Sequence, residues 1–535
     1  MAKGPHRYPL GVQVFEKIRK DNYLYADKTS YIWDMVESGG DYVFLSRPRR
    51  FGKTLLVSTL EAYFQGRKDL FEGLAIEQLD TREVWPAHPV VRFDLSTCKS
   101  MSEEGLANEL NMVLRRVERV YGRDEDAQGW SPRVESLIAR AASTSDEGVV
   151  VLIDEYDAPL LNVMHDPERL QRFREIMREF YSPLKACEAY LSFVFIAGIS
   201  KFSQLSIFSG LNNLNNISLL PQYGGICGIT AEELDGSLAP DVAWLAGELG
   251  ISPAECRREL KDMYDGYRFS KALTEIYNPF SLVASLNNID IAPYWFGSGT
   301  PTALVNMLRR AEITVPDLEG VRAVATSFDA PAEAMSDPVA FMYQSGYLTI
   351  KGYERALDSY ILGIPNAEVA KGLYESLLPA YTGRAPTAAS GFVVDFSAAL
   401  LYESDMDKAL RLLRSFLAGI PYDLAAKDEK AFQTQLYLVF KLVGASIATE
   451  VRIATGRIDV TVDAPRALFV MELKYRRAGE ASPTSAEALS QIDDKGYLIP
   501  YVEGNKPVVK VGVAFSEERR TIDLALKQKR SHVAE

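Results

Sequence analysis

Histidine is scarce, with four in 535 residues, which argues against a zinc site built from imidazoles. Cysteine is equally sparse. Cys98, Cys187, Cys227 and Cys256 are scattered, with no pair at metal-ligand spacing. They read as free thiols in a reducing cytoplasm and not as a disulfide framework. No apolar run approaches the roughly 18 residues a membrane span needs. Met1-Ala2-Lys3-Gly4-Pro5-His6 lacks the apolar core of a signal peptide. A cytoplasmic location is therefore expected. Positive charge is also in deficit, the formal net charge being −13. Any binding of nucleic acid must come from locally basic surfaces. What is present is ordinary globular composition on a chain too long for one core, so about two to four domains are expected.

One stretch organises the rest. Tyr42-Val43-Phe44-Leu45 reads as a buried strand, and Leu55-Leu56-Val57-Ser58-Thr59-Leu60 as the start of a helix. Between them lies Ser46-Arg47-Pro48-Arg49-Arg50-Phe51-Gly52-Lys53-Thr54. Strand, tight loop, Gly-Lys-Thr and helix form the layout of a phosphate-binding P-loop. The loop and helix N-terminus aim backbone N–H groups at one spot, where an anion is favoured. Arg50, Phe51, Gly52, Lys53 and Thr54 are the candidate nucleotide-binding residues. Lys53 would reach the β- and γ-phosphates of ATP, and the Thr54 hydroxyl would hold Mg2+. Arg47 stands where the usual motif begins with glycine, and arginine adopts positive φ only under strain. The plainer alternative is a strand-to-helix turn whose Lys and Arg are solvated.

A second stretch, Val149-Val150-Val151-Leu152-Ile153-Asp154-Glu155, is an apolar run ending in two carboxylates. This is the Walker B arrangement, with Asp154 directed to the metal and Glu155 placed as the base that activates water. Two acids capping the next helix would look the same. Further strands are expected over Pro89–Leu95 and Ala189–Ala197, with helices over Ser102–Tyr121 and Arg169–Tyr181 between them. The alternation predicts an α/β fold: a P-loop NTPase parallel sheet with helices on both faces. Ligands of such sheets sit at the carboxyl ends of the strands. Ser200, after the last strand, is a candidate contact to the γ-phosphate. Tyr25 or Tyr31 would cover the base or pack within the lid. Arg268 is a candidate γ-phosphate contact from the helical lid, with pairing to an acid as the alternative.

Arg47-Pro48-Arg49-Arg50-Phe51-Gly52-Lys53-Thr54, Asp154-Glu155-Tyr156-Asp157, Ser200-Lys201-Phe202, Ser209-Gly210-Leu211-Asn212-Asn213 and Tyr264-Asp265-Gly266-Tyr267-Arg268-Phe269 occur in this order. Together they resemble the bacterial AAA-ATPase-like proteins, from near Tyr8 to roughly Leu282. The resemblance implies that Arg47 departs from the generic P-loop motif but not from its kin.

The C-terminal part carries its own pattern. Gly456-Arg457-Ile458-Asp459-Val460-Thr461-Val462 and Ala467-Leu468-Phe469-Val470-Met471-Glu472-Leu473-Lys474 read as paired strands. Asp459 followed by Glu472-x-Lys474 resembles the PD-(D/E)XK nuclease superfamily. Strand alternation puts Glu472 and Lys474 on one face, where Asp459 can meet them. The two acids would bind Mg2+ to polarise a scissile phosphate, with Lys474 beside the attacking water. The resemblance also implies an acid on the preceding helix, Glu429, and a glutamine near the lysine, Gln491. Basic residues outnumber acidic ones between Val451 and Arg477. An ordinary α/β core with surface acids is the bland alternative.

The expected domains are an AAA-like ATPase with helical lid over 1–285, a helical and winged-helix-like middle over 286–385, and a restriction-endonuclease-like α/β domain over 392–525. A hairpin is expected from Tyr343–Ile350 and Ser359–Pro365, and Thr382–Gly391 reads as a linker. The function expected is ATP-regulated, Mg2+-dependent processing of DNA or RNA. An ATP-switched protein that docks a partner without cleavage is the second class. The sequence is compatible with a homo-oligomer and does not fix its order.

Overall fold

The computed structural model describes residues 4–38, 40–164, 166–200, 213–295, 304–305, 307–308, 315–329, 338–403, 405–420, 429–443, 446–453, 456–464, 467–476, 484–501, 506–516 and 521–529. The chain forms two compact units. One comprises Met1–Ser298 with Gly320–Val369, and the other Gly299–Glu319 with Ala370–Glu535. The stretch expected as a middle domain is thus shared between them. Among the described residues no helix is long and apolar enough to cross a membrane.

In the first unit β1 (Tyr42–Ser46), β2 (Val90–Asp94), β3 (Val149–Asp154), β4 (Leu191–Gly198) and the short β5 (Asn215–Asn216) form a parallel sheet in the order β2-β3-β4-β1-β5. β3 is buried along its whole length, which is why it reads as a continuous apolar run and does not alternate. Val91, Val151, Ile153, Val194 and Ile196 face helices Glu103–Tyr121, Trp130–Ala142 and Pro167–Tyr181. Ser102 caps the first of these helices by accepting from the Gly105 N–H at 3.2 Å. The P-loop helix, Lys53–Phe64, covers the opposite face, and Phe64 meets Phe193 there at 5.1 Å between ring centroids. β6 (Ile229–Thr230) and β7 (Ile276–Tyr277) pair within a helical subdomain whose core includes Leu238, Leu245, Leu260 and Leu282.

β8 (Val321–Ala323), β9 (Thr349–Glu354) and β10 (Ser359–Gly363) make a small antiparallel sheet in the order β8-β10-β9. The expected hairpin is present, but its first strand starts only at Thr349. Helix Pro338–Ser345 runs through Tyr343 and stops where Gly346 takes φ 89°. Tyr347 N–H returns to the Met342 carbonyl at 2.8 Å, closing the helix end before the strand begins. Gly346 is also a point of close approach: a Cβ there would lie 2.8 Å from Pro48 of the P-loop.

In the second unit β11 (Ser446–Ile453), β12 (Gly456–Ala464), β13 (Ala467–Arg476), β14 (Val508–Ser516) and β15 (Thr521–Lys529) lie in sequence order. Every neighbouring pair is antiparallel except β13 and β14, which are parallel. Parallel strands need a crossover, and helix Ser485–Asp494 supplies it. The stretch read as a linker is mostly helical instead. Helix Ala367–Thr382 ends at Gly383, φ 64°, and a new helix starts at Pro386. Proline at the first helical position is preorganised for a helix, and the alanines after it favour one.

Helix Ser485–Asp494 rests directly on β14 at Gly512. A Cβ on Gly512 would lie 2.1 Å from the Ser485 carbonyl oxygen and 3.0 Å from the Leu489 backbone nitrogen. Gly512→Ala is expected to cost about 1–3 kcal/mol through overpacking. It should also raise amide hydrogen exchange along 485–494. Unchanged exchange there would show that the helix does not depend on this contact.

Candidate functional sites

The first site is built where β1 enters the P-loop. Arg47, 2% exposed, turns its guanidinium under the loop. It donates to the carbonyls of Ser46, Ser218 and Tyr223, each at 2.9 Å, and lies 4.3 Å from the centroid of the Phe269 ring. Burial pushes its pKa down from the ordinary arginine value. Positive φ falls at Arg50 (66°) and Gly52 (92°), and not at Arg47. The missing first glycine therefore costs no backbone strain, and the guanidinium fastens the loop from below. The sequence signal for this was the arginine itself, read only as a departure.

Lys53 is buried, and its ammonium donates to the carbonyls of Arg47 at 2.9 Å and Pro48 at 3.1 Å. Burial lowers its pKa, opposed by the nearby charges of Glu155, Asp157 and Asp154. Asp154 ends β3 at 1% exposure. Both its carboxylate oxygens are buried without a well-formed hydrogen bond, and Arg92 Nη2 stands 3.8 Å away. Burial raises the Asp154 pKa to about 6, although Lys53, the Thr54 hydroxyl and Arg92 pull the other way. Glu155 follows with φ 51°, a left-handed backbone that is uncommon outside glycine.

A cavity of about 570 Å³ opens above these groups. Arg49, Arg50, Lys53, Thr54 and Glu155 line its charged part, while Leu10, Val12, Leu24, Leu238, Phe280 and Val283 are among its apolar walls. The Arg50 guanidinium carbon sits 3.9 Å from the Phe280 ring centroid. Phe51 lines the cavity but is anchored by edge-on contacts with Tyr267 and Phe269, at 4.7 and 5.3 Å. Tyr25 also lines the cavity and packs against Phe15, whereas Tyr31 is outside the lining. Pro9–Gln13, ahead of the expected tyrosines, also forms part of the wall, and no motif singled out these residues as lining.

Two expected residues lie elsewhere. Ser200 is buried with its hydroxyl donated to Asp157 at 2.5 Å, and does not line the cavity. Arg268 donates to Glu275 at 2.6 Å and to the Lys351 carbonyl at 3.0 Å, also away from the cavity lining. Lys261, with Arg268, holds the Glu275 pKa down at about 2. Arg268 thus follows the acid-pairing alternative, because an acid seven residues along the chain satisfies it. Lys201, Phe202 and the motif from Ser209 to Asn212 fall outside the described residues.

The second site lies on β12 and β13. Their last paired residues are Val460 and Met471, one step short of Asp459 and Glu472. The ladder stops there because the Leu473 N–H goes to Asp459 Oδ2, at 2.8 Å, instead of to a strand carbonyl. Two largely buried acids therefore face each other where the β12–β13 ladder ends, 7% and 2% exposed. Lys474 Nζ donates to Glu472 Oε1 at 3.0 Å and to Gln491 Oε1 at 2.5 Å. The Gln491 amide in turn donates to Glu472 Oε1. Close seating of its helix on Gly512 is what brings Gln491 to the lysine. Glu429 opens helix Glu429–Leu442, as expected, and its side chain falls outside the described ones.

Among the described residues no group of three or more His, Cys, Asp or Glu side chains gathers to hold a metal. The Asp154 oxygens with Thr54, and the Asp459–Glu472 pair, instead offer hard oxygen donors in ones and twos. That donor set fits Mg2+, which keeps several waters and takes further ligands from phosphate.

Comparison with known proteins agrees with this geometry. Residues 9–208 match the AAA-ATPase-like family described as "Predicted AAA-ATPase". Residues 427–524 match the PD-(D/E)XK nuclease superfamily. The "Uncharacterized protein in vnfD 5'region" of Azotobacter chroococcum mcd 1 is 35% identical over 530 residues, covering 96% of this chain and 98% of that protein. The chain therefore belongs to the family of that Azotobacter protein, joining a predicted AAA-ATPase domain to a C-terminal PD-(D/E)XK nuclease superfamily domain.

Proposed function

We propose that the chain binds and hydrolyses ATP with Mg2+ in its N-terminal unit and cleaves nucleic acid with Mg2+ in its C-terminal unit, under control of the nucleotide. The observation that carries the first half is Asp154: a buried carboxylate without well-formed hydrogen bonds, set behind the cavity wall beside Lys53, Thr54 and Glu155, which line a nucleotide-sized cavity. Bound Mg2+ would neutralise phosphate charge there. Lys53 exchanges its loop carbonyls for phosphate oxygens, and Thr54 and Asp154 supply the metal ligands. The Glu155 carboxylate takes a proton from the attacking water. The apolar walls shelter the base.

In the C-terminal unit Asp459 and Glu472 hold the cation. Lys474, steered by Gln491, places its ammonium where negative charge develops on the scissile phosphate. The intact contact of Lys474 with both Glu472 and Gln491 favours cleavage over docking alone. Purified protein incubated with DNA and RNA, with and without ATP and Mg2+, decides between the two.

Glu155→Gln should keep ATP affinity and slow hydrolysis by about 10²-fold or more, whereas Lys53→Ala should abolish binding. Parental turnover in Lys53→Ala would remove the P-loop assignment.

Asp459→Ala and Glu472→Ala should each stop cleavage while ATP turnover continues, since its cation has separate ligands. Lys474→Ala should also stop cleavage but disturb Mg2+ binding less, an ammonium not being a ligand. Magnesium titrations of plasmid and single-strand nicking measure this, and three variants that cut like the parent would place the activity elsewhere.

The raised Asp154 pKa gives a pH signature. Folding lifts this group from an ordinary 3.8 to about 6, so ionising it costs stability as pH rises through that window. Cation binding opposes the cost. Mg2+-dependent ATP affinity should therefore weaken as pH falls through about 6. Asp154→Asn should flatten the profile in nucleotide-binding titrations, and an unchanged profile would exclude Asp154 as the ligand.

A further inference from the structure

The turn after β3 contains a carboxylate to which the hydrolysis scheme assigns no part. Asp157 is fully buried. It accepts from the Ile199 N–H at 3.2 Å, the Ser200 N–H at 2.7 Å and the Ser200 hydroxyl at 2.5 Å. Its neighbour Tyr156, also fully buried, donates its backbone N–H to the Ala197 carbonyl at 3.2 Å and its hydroxyl to the Ser200 carbonyl at 2.8 Å. The two residues after Glu155 are thus tied to the end of β4 by side-chain and backbone bonds together. Gly198 makes the approach possible, since a Cβ there would lie 2.5 Å from the Tyr156 ring and 2.7 Å from Asp157 Oδ1.

Glu155 stands immediately before this knot with φ 51°. A non-glycine residue holds such a backbone only where its surroundings over-determine it, and such residues cluster at functional sites. We propose that Asp157 is a positioning residue: it clamps the Tyr156-Asp157 turn to the end of β4 and so holds Glu155, against its own backbone preference, at the cavity wall. The inference rests on the reading of Glu155 as the base of ATP hydrolysis. Ser200 then serves as the anchor of the clamp, and its hydroxyl is engaged in positioning and not in contact with the γ-phosphate.

Asp157→Asn keeps the shape but sets an amide donor against N–H groups that need an acceptor. It should lower kcat for ATP about tenfold with KM within about twofold. Ser200→Ala, which removes one of the three donors, should lower kcat about threefold, and Ser200→Thr should restore it. The double variant should match Asp157→Asn alone, because both changes break one unit. In a Glu155→Gln background neither change should reduce the residual rate further. Amide hydrogen exchange supplies a readout that needs no turnover: Asp157→Asn should speed exchange at 155–157 and 199–200 together, with the middle of β3 and β4 unchanged.

Loss of kcat in Ser200→Ala with parental kcat in Asp157→Asn would overturn the clamp in favour of a direct phosphate contact. Unchanged exchange at 155–157 would overturn it as well. If the parent protein shows no ATP turnover, the proposed function falls. The exchange experiment then decides the clamp alone, a joint rise sustaining it. Should Asp157→Asn fail to fold, Ser200→Ala carries the exchange experiment: faster exchange at 155–157 sustains the clamp, and unchanged exchange there overturns it.

Discussion

A guanidinium held by three backbone carbonyls sets the shape of the phosphate loop. Phosphate loops normally depend on glycine, whose freedom lets the backbone curl around an anion. Here the first position needs no such freedom, and a buried cation does the fastening. The cost of burying that charge is offset by directed hydrogen bonds and by the face of Phe269. Left-handed backbone is concentrated at Arg50 and Gly52, immediately before Lys53. The loop is thus fastened where it joins the sheet and takes its left-handed backbone where it lines the cavity.

The two sites answer the same electrostatic problem in different ways. Each places carboxylates out of water beside a lysine, and each leaves oxygen donors for a small hard cation. In the first, Asp154 has no well-formed hydrogen bond, and desolvation lifts its pKa to about 6 against the pull of Lys53, Thr54 and Arg92. In the second, Asp459 is satisfied by a strand N–H, and Glu472 is bridged through Lys474 and Gln491. The first arrangement buries a carboxylate at the expense of its ionised form. The second keeps its lysine aligned through neighbours on another helix.

What was legible in the sequence was what is local. Lys53 and Thr54 follow from a strand, a turn and a helix read over 42–60, and Asp154 and Glu155 from the end of the apolar run over 149–155. The facing of Asp459, Glu472 and Lys474 follows from strand alternation alone. What escaped depends on partners far along the chain. Nothing near Arg47 announces that Ser218 and Tyr223 will supply its acceptors, and nothing near Asp157 points to Ser200. The sequence leaves Arg268 open between a phosphate contact and an acid partner; its partner is Glu275, close by in the chain but carrying no motif. The supposed linker failed differently: proline followed by small residues signals a turn in one context and a helix start in another.

The anchoring of Arg47 also bears on the order in which the protein is made. The loop leaves the ribosome well before Ser218, Tyr223 and Phe269, the residues that receive its guanidinium. The nascent β1 strand can be synthesised long before its loop has anything to grip. The cage around the guanidinium is complete only once Phe269 has been translated, although the signature sequence of the loop is among the first parts of the unit to be made. A chain interrupted between Thr54 and residue 208 would carry every residue of the phosphate motif and still present a solvated arginine where the finished protein has a buttress.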